Sequence, residues 1–113
     1  MAVDATELDR LFKVIASRKG QDASSSYTAK LIAGGPALCA RKFGEEAIET
    51  VIAALGDDPK AVISESADLL YHWLVTLASV GVNPADVYEE LARREGRSGL
   101  DEKASRSTDG SKA

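Results

Sequence analysis

The chain has 113 residues, a net charge of −4 and an apolar fraction of 44%. This length predicts one domain with a single core, and the negative charge argues against nonspecific binding to nucleic acids. The only cysteine, Cys39, excludes an intrachain disulfide and a zinc site made of cysteines. The chain has no signal-peptide pattern and no apolar run of the roughly 20 residues that cross a bilayer, so we expect a cytoplasmic protein without membrane contact.

Helical periodicity and end signals predict three helices in the first half of the chain. The first begins around Thr6, which we predict as its N-cap, and stops before Gly20. A short second helix follows Ser26, a suitable cap, and ends at the two glycines of residues 34–35. The third helix covers residues 36–55 and opens with a proline, which suits a first turn.

Two further helices and a polar tail complete the predicted all-α chain. The fourth helix spans about residues 59–80, and one of the two aspartates in the preceding GDDP turn caps it. The fifth follows Asn83, with acids in its first turn and arginines in its last. We therefore predict an all-α domain of residues 1–96 and a disordered tail of residues 97–113, which is too polar to order itself.

An acidic strip borders the apolar stripe of the third helix. At about 100° per residue, the apolar side chains fall within one arc, which we expect to face the core. That arc consists of Ile48, Val51, Ile52 and Leu55. Glu45, Glu46 and Glu49 follow directly beside it, so like charges gather at the predicted edge of the core.

The fourth helix is apolar around nearly its whole circumference. Such a helix should be surrounded by others, so we expect a bundle of about five helices that is completed by dimerisation. The exception is one narrow stripe, made of Ala61, Glu65, Asp68, His72 and Thr76. Carboxylates on a buried helix are costly without a partner, so the stripe needs one.

The short GDDP turn predicts that the third and fourth helices form an antiparallel hairpin. Glu49 and Glu65 are equidistant from Asp57, and so are Glu46 and Asp68. Two carboxylate pairs should therefore face each other one turn apart, and a cation would hold them together. An all-oxygen site suits Mg²⁺ or Mn²⁺ rather than zinc, and such an ion commonly serves to bind polyphosphates.

Two other interpretations of the acids remain open from the residues alone. The acids of the third helix are typical of a solvated face, supported by i, i+4 pairs of Lys42 with Glu46 and of Arg41 with Glu45. That interpretation does not extend to the fourth helix, whose only basic residue is Lys60. A di-iron bundle would require Glu-x-x-His on two helices, and the chain has one histidine.

The segments RKFGEEAIETVIAA and ESADLLYHWLVTL resemble the phosphoribosyl-ATP pyrophosphatase family of histidine biosynthesis. This family belongs to the all-α nucleoside triphosphate pyrophosphohydrolases, whose pattern of Glu-Glu-x-x-Glu and Glu-x-x-Asp matches residues 45–49 and 65–68. The segment SYTAKLIAGG also resembles the family, whereas Arg41 and Phe43 depart from the expected lysine and small aliphatic residue. The resemblance implies a homodimer that uses Mg²⁺ to hydrolyse the α–β phosphoanhydride of phosphoribosyl-ATP.

Position and resemblance together suggest a role for each acid. The predicted metal ligands are Glu46, Glu49, Glu65 and Asp68. Glu45 is expected to act with Glu46 and Glu49 in catalysis, either as a fifth ligand or by orienting the attacking water. His72 is expected to hydrogen-bond Asp68 without contacting the metal ion itself, and the alternative is a core histidine.

Five further residues are candidates for binding the phosphates of the substrate. They are Arg18, Lys19, Tyr27, Lys30 and Lys42. For Lys42 a simple ion pair is an equal alternative. Two rival functions also remain: a related pyrophosphohydrolase that clears noncanonical or pyrimidine nucleotides, and a non-catalytic dimerisation module whose acids contact a basic partner.

Overall fold

The computed structural model describes residues 2–96 together with the isolated residues 99 and 103. In this part of the chain five α-helices form and no strand does, which confirms the predicted all-α class. The helices are α1 (Thr6–Arg18), α2 (Tyr27–Ala33), α3 (Pro36–Leu55), α4 (Pro59–Val80) and α5 (Pro84–Arg93). Apart from those two isolated residues, the predicted tail of residues 97–113 lies outside the described residues.

Side-chain caps start three of the helices where the sequence signals predict them. Ser26, Asp58 and Asn83 each accept a hydrogen bond from a backbone N–H in the first turn that follows. Asp58 is thus the aspartate of the GDDP turn that caps α4. At the other end of α4, Gly81 adopts a φ of 77°, the left-handed conformation that glycine takes without strain.

The prediction that Thr6 caps α1 is wrong, because Thr6 is the first residue of the helix itself. The carboxylate of Asp4 instead accepts hydrogen bonds from the Thr6 N–H at 2.9 Å and from the Thr6 hydroxyl at 2.6 Å. The N-cap position itself is Ala5, whose side chain makes no capping bond, so the carboxylate of Asp4, one residue earlier, serves the first N–H of the helix. A negative charge near a helix N-terminus is also stabilised by the helix dipole.

The core is built around the C-terminal half of α4. Its buried apolar residues are Ile15, Leu31, Cys39, Leu74, Val75 and Ala78, and they come from α1 to α4. The hairpin of α3 and α4 extends beyond this core toward the GDDP turn. Consequently Ile63, in the N-terminal half of α4, and Leu70, at its middle, are exposed within the single chain.

The prediction that the apolar stripe of α3 faces the core is also wrong for the single chain. The exposed fractions are 63% for Ile48, 58% for Val51, 64% for Ile52 and 83% for Leu55. The side of α3 that meets α4 carries Thr50, whose hydroxyl lies 3.2 Å from the carbonyl oxygen of Glu65 on α4. The apolar stripe lies on a different side of α3, and none of the described helices covers it.

Candidate active site

Three carboxylates meet between the neighbouring helices α3 and α4. Glu46 and Glu49 come from α3 and Glu65 from α4, and each offers an oxygen atom within 4.8 Å of those of the other two. Glu49 faces Glu65 across the hairpin, as the equal distances from the turn predict. Asp68 is not a member of this close group, although its charge acts on two of the three members.

The pKa values of Glu46 and Glu65 are both raised, first by burial and then by neighbouring negative charges. Burial is the main cause of the raised pKa of Glu65, and the charges of Glu49 and Asp68 raise it further. The pKa of Glu46 is raised by burial and then by the same two acids, while His72 opposes the shift. Both effects penalise the ionised carboxylates, so the site favours a bound cation.

The donor set fits a hard divalent cation. One oxygen of Glu65, Oε1, is buried and has no hydrogen-bond partner among the described residues. Such an oxygen costs free energy when it is left unpaired, and a metal ion would satisfy it. Carboxylate oxygens without nitrogen or sulfur ligands suit Mg²⁺ or Mn²⁺.

Glu45 stands apart from the three close carboxylates. Its Oε1 lies 3.6 Å from the ammonium group of Lys42, one turn earlier on α3. This pair replaces the predicted contact of Lys42 with Glu46, and it leaves Glu46 to the acidic group. Lys42 is half-buried beside the acids, so its charge is available at the edge of the site.

His72 contacts Asp68 through the backbone carbonyl of that residue. Its Nδ1 lies 2.9 Å from the carbonyl oxygen of Asp68. Because a carbonyl only accepts, Nδ1 carries a proton and donates this hydrogen bond. The ring is 7% exposed and stands edge-on to Tyr71, with 4.9 Å between ring centroids.

Tyr27 joins the site through its aromatic neighbours. Its ring lies 6.5 Å from that of Tyr71 in a stacked arrangement and 6.3 Å from that of His72. The hydroxyl of Thr28 hydrogen-bonds that of Tyr71, which ties α2 to α4. Tyr27 itself remains more than half exposed, and Lys30 follows it one turn later, also exposed.

Two of the predicted phosphate-binding residues lie at the far end of α4. Lys19 Nζ donates a hydrogen bond of 3.1 Å to the carbonyl oxygen of Ala78. Ala78 is ten residues beyond Asp68, a separation of about 15 Å along the helix axis. Arg18 directly precedes Lys19 at the end of α1. The structure therefore does not bring this pair to the carboxylates.

Thr50 and Tyr71 are not among the predicted site residues. The hydroxyl of Thr50 bonds the carbonyl oxygen of Glu46 at 2.8 Å and that of Glu65 at 3.2 Å. The sequence could have indicated the first of these contacts, because Thr50 follows Glu46 by four residues and a threonine hydroxyl in a helix can reach the carbonyl four residues earlier. Tyr71 precedes the histidine of the polar stripe, but its contact with α2 depends on the packing of distant segments.

Among the described helices, none is both long enough and apolar enough to cross a membrane. The family model for phosphoribosyl-ATP pyrophosphohydrolase matches residues 8–95. A phosphoribosyl-ATP pyrophosphatase of Parvibaculum lavamentivorans is 69% identical over 106 residues, which cover 94% of this chain and 97% of the relative. Proteins of the same name from Paramagnetospirillum magneticum and Paracoccus denitrificans are each 58% identical, over 94% and 89% of this chain and 97% and 94% of their own lengths. The chain belongs to the phosphoribosyl-ATP pyrophosphohydrolase family.

Proposed function

We propose that this chain hydrolyses the α–β phosphoanhydride of phosphoribosyl-ATP, giving phosphoribosyl-AMP and pyrophosphate in histidine biosynthesis. The observation that carries the proposal is the close group of Glu46, Glu49 and Glu65 in a chain of this family. The names of the similar proteins support the same substrate and reaction. A cytoplasmic location remains part of the proposal.

Mg²⁺, with Mn²⁺ as a substitute, would be held by Glu46, Glu49 and Glu65, with Asp68 as the fourth ligand. The buried, unpartnered oxygen of Glu65 supports this assignment. When bound, a divalent ion neutralises phosphate oxygens and lowers the pKa of a coordinated water. The charge of Asp68 acts on both Glu46 and Glu65, which supports including it as a ligand although it lies outside the close group.

Glu45 would orient the attacking water from the edge of the metal site. Its Oε1 lies 3.6 Å from the ammonium group of Lys42, so the two side chains stand together beside the close group. Lys42 would stabilise negative charge on a substrate phosphate. Lys30 is an exposed cation on α2 and would bind a phosphate further from the metal. Lys19, and Arg18 beside it, are better explained by the contact of Lys19 with the end of α4.

Tyr27 would provide a stacking surface for the purine base of the substrate. One side of its ring faces Tyr71, and more than half of the side chain remains accessible. Its neighbour His72 lies next to the acidic group, since the charge of His72 acts on Glu46. Stacking between a base and an aromatic ring contributes about 1–3 kcal/mol, enough to orient a nucleotide.

A homodimer would cover the exposed apolar stripe of α3. The stripe residues Ile48, Val51, Ile52 and Leu55 form one continuous apolar surface on the hairpin. A contiguous surface of this kind marks an interaction site rather than scattered exposed residues. A twofold interface uses the same surface of both copies, so two hairpins would complete a helical bundle.

The decisive experiment measures pyrophosphate release from phosphoribosyl-ATP and from a panel of deoxynucleoside triphosphates, with and without Mg²⁺. We expect Mg²⁺-dependent release from phosphoribosyl-ATP well above any other substrate. A preference for a deoxynucleotide would instead indicate a related pyrophosphohydrolase. Glu49→Gln and Asp68→Asn should each abolish turnover while preserving the helical circular dichroism spectrum. Glu89→Gln, which alters an exposed glutamate on α5, is the matched control and should retain activity.

A thermal-shift titration with Mg²⁺ or Mn²⁺ tests the metal independently of turnover. A ligand that binds only the folded state raises the unfolding temperature by mass action. We expect both ions to stabilise the wild type and to have little effect on Glu49→Gln. Absence of stabilisation at millimolar concentrations, together with absence of turnover, would favour a non-catalytic dimerisation module.

A further inference from the structure

We infer that Thr50 and Thr76 are positioning residues that hold α3 and α4 in the register at which the carboxylates meet. Each threonine hydroxyl contacts a carbonyl oxygen of its own helix and one of the opposite helix. The inference rests on the proposed function, because it assumes that Glu46 and Glu65 bind the metal ion.

The contacts of Thr50 reach the backbone of two proposed ligands on different helices. Its Oγ1 lies 2.8 Å from the carbonyl oxygen of Glu46 and 3.2 Å from that of Glu65. A hydroxyl has one proton, which it can donate to either acceptor, and in both cases a single oxygen atom contacts the backbones of both ligands. A displacement of α3 against α4 would break the longer of the two contacts.

Thr76 repeats the arrangement from the opposite helix. Its Oγ1 lies 2.8 Å from the carbonyl oxygen of His72 on α4 and 3.2 Å from that of Cys39 on α3. Cys39 is among the most buried residues of the chain, so this bridge is anchored in the core. The two bridges thus have the same geometry, with donor and acceptor helices exchanged.

The carboxylates lie between the two bridges. Thr50 is eleven residues after Cys39 on α3, and Thr76 is eleven residues after Glu65 on α4. Because the spacing is the same on both antiparallel helices, the two bridges form at the same alignment of α3 against α4. At 1.5 Å per residue, they are about 16 Å apart along the hairpin. Two attachment points at this separation resist both sliding and splaying of the helices.

A threonine hydroxyl that bonds the carbonyl four residues earlier is common in helices and by itself indicates no special role. The additional contact with the opposite helix distinguishes both residues. The site also needs such bridges. Carboxylate oxygens from α3 and α4 lie within 4.8 Å of one another, and the repulsion of like charges at this distance favours separation of the helices in the absence of a cation.

The test compares Mn²⁺ affinity, measured by calorimetric titration without substrate, among variants that keep or remove each hydroxyl. The valine of Thr50→Val has nearly the shape of threonine but no hydroxyl. The serine of Thr50→Ser keeps the hydroxyl and lacks the methyl group. Thr76→Val removes the second bridge. Ser17→Ala is the matched control, because among residues 2–96 the Ser17 hydroxyl bonds only the Val14 carbonyl of its own helix, α1. The unfolding midpoint of each metal-free variant is measured in parallel.

We expect Thr50→Val to bind Mn²⁺ about tenfold more weakly than the wild type, as is typical when a group supporting a metal ligand is removed. Thr76→Val should lose less affinity, because its bridge does not contact a proposed ligand. Thr50→Ser and Ser17→Ala should bind Mn²⁺ as the wild type does. If Thr50→Val does not fold, the comparison of Thr76→Val with Ser17→Ala decides the question.

Three results would overturn parts of the assignment in distinguishable ways. A wild type that binds no Mn²⁺ removes the proposed metal site itself, and the inference with it. A wild type that binds Mn²⁺, with unchanged affinity in folded Thr50→Val, overturns the inference alone, even if the unfolding midpoint falls. A loss in Thr50→Ser as large as that in Thr50→Val shows that the methyl group, not the hydroxyl, is responsible.

Discussion

The apolar stripe of α3 allows the proposed dimer to be tested with one substitution, Ile52→Glu. Ile52 is 64% exposed in the single chain and lies in the middle of the stripe. Full burial of an isoleucine side chain contributes about 1.5–3 kcal/mol, so burying this exposed fraction would contribute about 1–2 kcal/mol. A twofold interface contains the residue twice, which gives about 2–4 kcal/mol for the dimer.

We therefore expect Ile52→Glu to weaken dimerisation by a factor of about 30 to 700. This is a lower bound, since the variant would also bring two like charges into the interface. Sedimentation equilibrium over a wide concentration range measures the dissociation constant directly. The control is Val14→Glu, which places the same charge on an exposed valine of α1, outside the stripe.

Either of two results would refute the reasoning. A wild type that sediments as a monomer at every concentration would mean that the stripe is not a dimer interface. Equal weakening by Val14→Glu would mean that added negative charge, rather than lost apolar contact, separates the subunits.

Three further predictions concern the core, the surface charges and the substrate. Leu74→Ala, at a fully buried position of α4, should lower the free energy of unfolding by about 2–5 kcal/mol in denaturant titrations at fixed protein concentration; a loss below about 1 kcal/mol would contradict its place in the core. Hydrogen bonds from two arginines lower the pKa of Glu90 from 4.5 to about 2, so its contribution to stability is complete above pH 4.5 and is lost as the pH falls through about 2. The stability difference between the wild type and Glu90→Gln should shrink over that interval, and a constant difference would contradict the ion pairs. Tyr27→Leu should raise KM for phosphoribosyl-ATP about tenfold with a smaller change in kcat, whereas Tyr27→Phe should behave as the wild type; equal KM values in all three proteins would exclude stacking.

The helices and their register could be predicted because their signals are local. Proline at the first position and glycine after the last define α3 and α4 to the residue, and the short turn between them determines which acids face each other. The close approach of Glu49 to Glu65 follows from that turn alone. The start of α1 was predicted wrongly, because the N-cap position is Ala5, a residue without a capping side chain, and the preceding Asp4 supplies the acceptor.

The features that the sequence could not predict depend on which helix face packs against which other helix. Periodicity identifies Ile52 as part of an apolar face but does not say whether the same chain or another covers that face. The role of Lys19 depends on how α1 packs against α4, because its partner Ala78 lies 59 residues later in the chain. The sequence predicted that His72 contacts Asp68 but did not show that the backbone carbonyl, four residues earlier in the helix, is the acceptor.

The contact of Lys19 with Ala78 has a consequence for how the domain is assembled. The last turn of α4 contains no basic residue of its own, so its partially negative carbonyl end obtains a countercharge from the segment that follows α1. The first helix therefore contributes electrostatically as well as by packing to the helix that carries Glu65 and Asp68. An insertion or deletion between residues 16 and 22 would shift this cation along the axis of α4. It would thereby weaken the contact with Ala78, although α4 is distant in the chain.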